Sequence, residues 1–145
     1  MAIKRQATVT VKSSICSIGD DGAPTGAPDV SNIREAGEIS ARDGITRISY
    51  VENTEGGKVE CELLFKDGAV KLRRRGATQL DIELRPGERY NTVYSIPPYK
   101  FDMWIEADKV ELSFDEEGAQ AVLEYDMCIG GEERHAEMQI TVKYI

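Results

Sequence analysis

His135 is the only histidine of the chain and the first residue to consider for chemistry. The Gly130-Gly131 dipeptide between two apolar runs predicts a β-hairpin with a two-residue loop, and its register places His135 opposite Asp126. An Asp–His pair can transfer protons, but the chain has no nucleophile elbow of the GxSxG type, and a metal site normally needs several such ligands. We interpret the pair as a solvated cross-strand contact and predict no catalytic residue, no metal site and no cofactor.

Two arginines are better candidates for binding a ligand, because the predicted registers point both towards an apolar face. A turn at Asp67-Gly68 places Arg74 beside Cys61, and the later hairpin places Arg134 beside Met127. An unpaired guanidinium is costly to bury, so each must reach an anion, escape to a rim of the fold, or indicate a wrong register. Our hypothesis is that one or both bind the carboxylate or phosphate of a ligand in the mouth of a barrel.

Four aromatic residues are candidates for ligand or partner contacts. Tyr90, Tyr94 and Tyr99 can line a cavity with ring area and hydroxyl donors, or can be core residues with satisfied hydroxyls, and the core interpretation is favoured. Trp104 is predicted to face away from the core, towards Glu111. Since tryptophan is enriched at protein interfaces, Trp104 is the candidate contact of a homodimer.

The charge and the absence of long apolar runs limit the classes of partner. A formal charge of −8 opposes binding to phosphate backbones, because such binding draws its free energy from a basic surface that releases counterions. Arg73-Arg74-Arg75 is the local exception. No apolar run approaches the length of a membrane span, and the start MAIKRQATVT lacks the apolar segment of a secretory signal. We expect a cytoplasmic protein with no nucleic-acid or membrane partner.

The cysteines and the acidic clusters carry no specific signal. Cys16, Cys61 and Cys128 are odd in number, far apart and without CxxC spacing, so they are interpreted as small buried hydrophobes. Clusters such as Asp115-Glu116-Glu117 lie in predicted turns and are interpreted as solubilising surface.

The element that must position these residues is the β-strand. Apolar and polar residues alternate with period two almost throughout, as in Ala7, Val9 and Val11 against Thr8 and Thr10, and helical spacing never persists. The length of 145 residues suits one domain, 1–145, with little or no helix.

Short turns set the registers of the predicted hairpins. The Asp67-Gly68 turn pairs Phe65 with Val70 and Leu63 with Leu72 on one face, and pairs Glu62 with Arg73 and Glu60 with Arg75 on the other. The Gly130-Gly131 turn pairs Leu123 with Met138, and a turn at Ala107-Asp108 pairs Ile105 with Val110. The matching faces predict hairpins that share one apolar interior.

About ten strands follow, each with one apolar face. Those after the first are predicted at about 33–42, 45–52, 78–84, 89–96, 99–106, 109–114, 119–129 and 132–144, together with the Asp67-Gly68 hairpin. The Gly/Pro-rich segment 17–32 lacks a hydrophobic period and is predicted to be a flexible loop. A sheet of this length usually curls and closes, so we predict a single antiparallel up-and-down β-barrel of about 8–10 strands, with a two-sheet sandwich as the alternative.

Several motifs resemble those of the YwiB-like family of uncharacterised bacterial proteins. They are Ile48-Ser49-Tyr50 followed by Glu52, Gly68-Ala69-Val70-Lys71-Leu72 before the arginine run, Tyr94 with Pro98-Tyr99, and Leu123-Glu124-Tyr125-Asp126-Met127. The chain departs from the family pattern at Lys100, where glycine is expected, and in the long segment 17–32. The resemblance implies a calycin-like barrel similar to lipocalins and, by fold analogy, binding of a small molecule inside it.

Two functions from different classes remain open at this point. The first is a non-enzymatic barrel that binds a small, partly apolar, anionic ligand. The second is a structural or interaction protein with a filled barrel that forms a homodimer or binds a partner. An open interior lined by Arg74 or Arg134 favours the first, and a packed interior with an exposed apolar strip around Trp104 favours the second.

Overall fold

A computed structural model of the chain describes residues 3–145 and contains ten β-strands and no helix within that range. The strands are β1 (Ile3–Ile18), β2 (Pro24–Arg42), β3 (Ile45–Thr54), β4 (Gly57–Lys66), β5 (Ala69–Gly76), β6 (Leu80–Leu84), β7 (Arg89–Ile96), β8 (Tyr99–Phe114), β9 (Gly118–Ile129) and β10 (Glu132–Tyr144). They form one antiparallel sheet in the order β6-β5-β4-β3-β2-β1-β10-β9-β8-β7. The predicted up-and-down meander is confirmed, although the predicted domain also included Met1 and Ala2, which lie outside the described residues.

The sheet curls into a nearly closed barrel whose seam lies between β6 and β7. The first and last strands pair with each other, so the two edges of the sheet are strands from the middle of the chain. Gln79 and Ser95 join these edges through two backbone hydrogen bonds of 2.9 and 3.0 Å. The Thr92 hydroxyl adds a third by donating to the carbonyl of Asp81, at 2.9 Å. One continuous sheet excludes the two-sheet sandwich.

The interior is built from the apolar face of every strand. Leu63 and Leu123 are 1% and 0% exposed, as the period-two pattern requires. Burying side chains of this size contributes roughly 1.5–3 kcal/mol each, and one connected cluster of such residues lines the interior of the barrel.

The two predicted hairpin registers are confirmed residue by residue. Cys61 pairs with Arg74 across the Asp67-Gly68 turn, and Asp126 pairs with His135 across the Gly130-Gly131 turn. All four turn residues have positive φ, between 51° and 85°. A type I′ turn needs positive φ at both central positions, and this backbone twist matches the twist of the flanking strands.

The predicted turn at Ala107-Asp108 is wrong. β8 runs unbroken from Tyr99 to Phe114, and the extra residue is absorbed as a β-bulge between Ala107 and Lys109. Ala-Asp has no glycine to favour the positive φ of a tight reversal, while β9 supplies a continuous hydrogen-bonding partner along the strand. Ile105 therefore pairs with Met127 rather than folding back on Val110.

The predicted flexible loop 17–32 is also wrong for most of its length. β1 continues to Ile18, β2 begins at Pro24, and the reversal between them occupies only residues 19–23. Residues 24–25 and 29–36 pair with β1 alone, because the ladder between β2 and β3 ends at Gly37, and residues 26–28 form a bulge at a register shift. The exposed side chains of this segment show no apolar period, although its backbone remains hydrogen-bonded to β1.

The predicted cross-strand ion pairs have the right register but other partners. Arg73 and Arg75 both contact Asp81, at 3.5 and 2.6 Å, and Glu62 contacts Arg47 at 2.5 Å. Glu62 takes its partner from β3, and Arg73 and Arg75 take theirs from β6, both outside the hairpin considered alone.

Candidate functional site

A cavity of about 650 Å³ opens at one end of the barrel. We call this end the mouth and define it by the turns at 19–23, 55–56, 77–79, 97–98 and 130–131. Most of the cavity wall is apolar and includes Leu72, Leu80, Met103, Met127 and Met138. Both arginines selected from the sequence, Arg74 and Arg134, also line the cavity.

Arg74 lies inside the barrel and is neutralised by a carboxylate from another strand. Its Nη2 atom donates to Oε2 of Glu52 at 3.0 Å, and the two side chains are only 23% and 18% exposed. Arg74 is on β5 and Glu52 on β3, so the pair spans β4. The structure thus selects the first of the three outcomes open to Arg74, an anion, and that anion belongs to the protein.

Three weak acids surround this ion pair. Burial raises the pKa of the Cys61 thiol, and burial likewise raises the pKa of Tyr125 to about 12. Tyr50 also has a raised pKa, first through burial and then through the neighbouring Cys61. All three groups therefore stay protonated at neutral pH, so the floor of the cavity offers the hydroxyl donors of Tyr50 and Tyr125 around one guanidinium, with the Cys61 thiol adjacent to Tyr50.

Burial acts against the charge of Arg74, but its neighbours act more strongly. Desolvation lowers the pKa of Arg74, whereas the adjacent Cys61 and Glu52 raise it, and the net direction is upward. Arg74 thus remains a fixed positive charge inside the barrel.

Arg134 lies nearer the entrance, two residues beyond the start of β10. Its Nη2 atom donates to Oε2 of Glu132 at 3.1 Å, and the Ser17 hydroxyl donates to the same carboxylate at 3.3 Å. The Nε atom of Arg134 is buried and has no hydrogen-bond acceptor among the described residues. Arg134 therefore lies at the rim, as its position in the hairpin predicted. Its Nε–H donor has no acceptor among the described residues.

The aromatic residues selected from the sequence lie at different places in the fold. Tyr94 lines the cavity, whereas Tyr90 lies in a groove over β4, β5 and β6, and Tyr99 is 65% exposed at the β7–β8 turn. Trp104 is half-buried and stacks against Arg89, whose guanidinium carbon is 3.9 Å from the ring centroid. Its cross-strand neighbours are Asn91 and Cys128, so the predicted orientation towards Glu111 is wrong.

Sequence reasoning missed three residues of the site, Tyr50, Glu52 and Tyr125. Ile48, Tyr50 and Glu52 alternate along β3, so the period-two pattern already placed Glu52 on the inner face. An isolated glutamate at an apolar position next to an unpaired inward arginine was the available signal. Connecting the two required the order of strands β3, β4 and β5 in the sheet.

The fold and this cavity define the chain as a small up-and-down β-barrel open at one end. Residues 14–142 match the family described as a domain of unknown function, DUF1934, so the chain belongs to that family. It is 26% identical over 137 residues to the uncharacterized β-barrel protein YwiB of Bacillus subtilis (strain 168), covering 94% of this chain and 91% of that protein. The resemblance drawn from the sequence motifs is confirmed.

A solved relative supports the same architecture. The crystal structure of the YwiB protein from Bacillus subtilis superposes with a TM-score of 0.82 at 24% identity, covering 98% of this chain and 93% of that one. The β-barrel prediction is confirmed. Across residues 3–145 the chain forms no helix that could cross a membrane.

Proposed function

We propose that the barrel binds a small, partly apolar, anionic molecule in the mouth cavity. The observation that carries the proposal is an open space of about 650 Å³ that contains two guanidinium groups within an apolar wall. Sites for small molecules typically enclose about 300–1,000 Å³ and combine apolar surface with a few placed polar groups.

The two arginines have different roles in this proposal. Arg134 receives the anionic group, because its buried Nε donor lacks an acceptor and its carboxylate partner Glu132 is half exposed to water. Arg74 is already paired with Glu52 and orders the polar floor, where the hydroxyls of Tyr50 and Tyr125 can donate to a ligand. The apolar part of the ligand lies between Arg134 and the polar floor, against the methionines and leucines of the wall.

Binding without catalysis is the activity that this site supports. A nucleophile or general base needs a group that is deprotonated or readily deprotonated near neutral pH. The thiol and phenols of the floor have raised pKa values, and both glutamates of the cavity are engaged with arginines.

We place the protein in the cytoplasm, since Cys16, Cys61 and Cys128 are all free thiols, which suits a reducing compartment.

A binding experiment with matched arginine variants tests the proposal. The probe is 8-anilinonaphthalene-1-sulfonate, an anionic aromatic molecule that fluoresces in apolar surroundings, with decanoate as competitor. Loss of a charge-assisted hydrogen bond is worth roughly 1.5–3 kcal/mol, so Arg134→Gln should weaken binding about 10- to 100-fold. Arg42→Gln removes the same charge at the opposite end of the barrel, where Arg42 is 78% exposed, and should leave binding unchanged.

Equal affinity of the wild type, Arg74→Gln and Arg134→Gln would remove the proposed role of both arginines. Native mass spectrometry of the protein purified from its own cells then gives the mass of any natural ligand. A mass increase that disappears in Arg134→Gln supports the proposal directly.

A homodimer is a second proposal, with its own observation. Val93 on β7 is 46% exposed and lies on the same outward face as the half-buried Trp104 of β8, which leaves apolar surface uncovered there. Aromatic residues of this kind are enriched in interfaces. Sedimentation of the wild type and Val93→Glu over a micromolar concentration series tests it, and a wild type that stays monomeric throughout contradicts it.

A further inference from the structure

The outer face of β9 and β10 carries a histidine enclosed by carboxylates, remote from the mouth cavity. His135 faces outward, directly opposite Asp126, and two residues further along Glu137 lies directly opposite Glu124. The bulge in β8 brings the carboxylate of Asp108 into the same group. The imidazole is only 29% exposed, whereas the Glu137 side chain is 62% exposed and keeps the group open to water.

Asp126 fixes which nitrogen of the imidazole is available. Nδ1 of His135 lies 2.7 Å from Oδ1 of Asp126, a hydrogen bond in which the ring N–H donates to the carboxylate. In the neutral ring the lone pair is then on Nε2. A carboxylate that holds the far nitrogen of a histidine in this way is the usual outer support of a metal-binding imidazole.

Nε2 points into a pair of carboxylates at a spacing suited to a metal ion. It lies 3.9 Å from Oε1 of Glu124 and 3.7 Å from Oε1 of Glu137, too far for hydrogen bonds. Ligands about 2.1 Å from a tetrahedral zinc ion are about 3.4 Å apart, so these two nitrogen–oxygen distances exceed the ideal by only a few tenths of an ångström. The three atoms belong to a set lying within 4.8 Å of one another.

The local charge also favours a bound cation. Glu124 and Glu137 face each other across the ladder, and like charges at directly opposed positions destabilise a sheet. Lys109 is the cross-strand neighbour of Glu124, but its Nζ atom contacts Glu111 at 3.8 Å. With Asp108 and Asp126 included, four carboxylates surround a single imidazole.

We propose that His135, Glu124 and Glu137 bind a divalent transition-metal ion, with Asp126 orienting the imidazole. One nitrogen and two oxygen ligands suit zinc, cobalt or nickel better than calcium or magnesium, which prefer oxygen alone. Three protein ligands leave a coordination position for water or for a group from a partner molecule. The site is separate from the mouth cavity and does not depend on the ligand proposed there.

Titration of the untagged, full-length protein with Zn²⁺ at pH 8 tests the site, with Co²⁺ absorption as a second readout. We expect one equivalent to bind with a dissociation constant below about 10 μM. His135→Gln and Glu137→Gln should each weaken binding at least 10-fold, and Asp126→Asn about 10- to 100-fold, the usual cost of losing an outer support. Glu116→Gln, an equal charge change in an exposed turn, should have no effect.

Two further results keep the test decisive. His135 is the only histidine, so Zn²⁺ must shift the one set of imidazole signals in the NMR spectrum of the wild type, independently of any variant. Cys16 is the neighbour of His135 on β1, and Cys16→Ser should retain the ion. Saturation absent below 1 mM, unmoved imidazole signals, or loss of binding in Cys16→Ser alone would each overturn the proposal.

Discussion

Separating Arg74 from Glu52 should destabilise the barrel more than separating any surface pair. The donor and acceptor are 3.0 Å apart and the side chains are 23% and 18% exposed, so each would leave a largely enclosed charge without a partner. Removing one member of a fully buried pair costs about 3–5 kcal/mol. Partial contact with water reduces this, and we expect about 2–3 kcal/mol for Arg74→Met or Glu52→Gln.

The double variant distinguishes the ion pair from simple loss of packing. With both charges removed no lone charge remains, so the double variant should be less destabilised than the sum of the single variants, by a coupling of about 1–2 kcal/mol. The assay is equilibrium urea unfolding at pH 7, followed by far-UV circular dichroism and by the fluorescence of the single tryptophan, Trp104. Parallel m-values are needed for the comparison.

The Arg47–Glu62 pair on the outer face is the matched control. Nη2 of Arg47 lies 2.5 Å from Oε2 of Glu62, a comparable contact, but the arginine side chain is 54% exposed. The same cycle there should give a coupling below about 1 kcal/mol, since water screens exposed pairs. A coupling for Arg74–Glu52 below about 0.5 kcal/mol, or no larger than that of the control, would refute the argument that enclosure makes the inner pair strong.

Two other predictions concern the core. Burial raises the pKa of Tyr125 to about 12, so the folded state holds this proton more tightly than the unfolded state, and the stability present below pH 10 is lost as the pH rises towards about 12. Between pH 8 and pH 11 the wild type should lose about 1 kcal/mol more than Tyr125→Phe in urea unfolding, and equal losses would contradict this. Leu123→Ala removes a fully buried side chain and should cost about 2–5 kcal/mol by the same measurement. Val30→Ala, at a position 75% exposed, should cost under about 1 kcal/mol, and equal costs would show that Leu123 is not a core residue.

The parts of the fold predicted from sequence are those set by local rules. Asp67-Gly68 and Gly130-Gly131 each specify a two-residue turn, and the turn fixes which residues face each other for the length of a hairpin. The inward positions of Arg74 and Arg134 followed from those registers. The number of strands predicted a closed barrel, and the family resemblance favoured the same architecture.

The same local reasoning was wrong where pairing with a neighbouring strand determines the backbone conformation of a segment. Ala107-Asp108 becomes a bulge because β9 pairs along both sides of it, and residues 24–32 become a strand because β1 offers unpaired backbone groups. Each partner is the adjacent strand along the chain, but neither pairing depends on the apolar period of the segment itself.

The sequence by itself determined the face on which each side chain lies, because the period of a strand and the geometry of a tight turn are properties of a few adjacent residues. Only the tertiary structure decided what those side chains meet. Glu52 reaches Arg74 across an intervening strand, and β6 meets β7 along the seam beside the cavity. Such contacts depend on how far the whole sheet curls, since its curvature sums the twist of ten strands and belongs to no single segment.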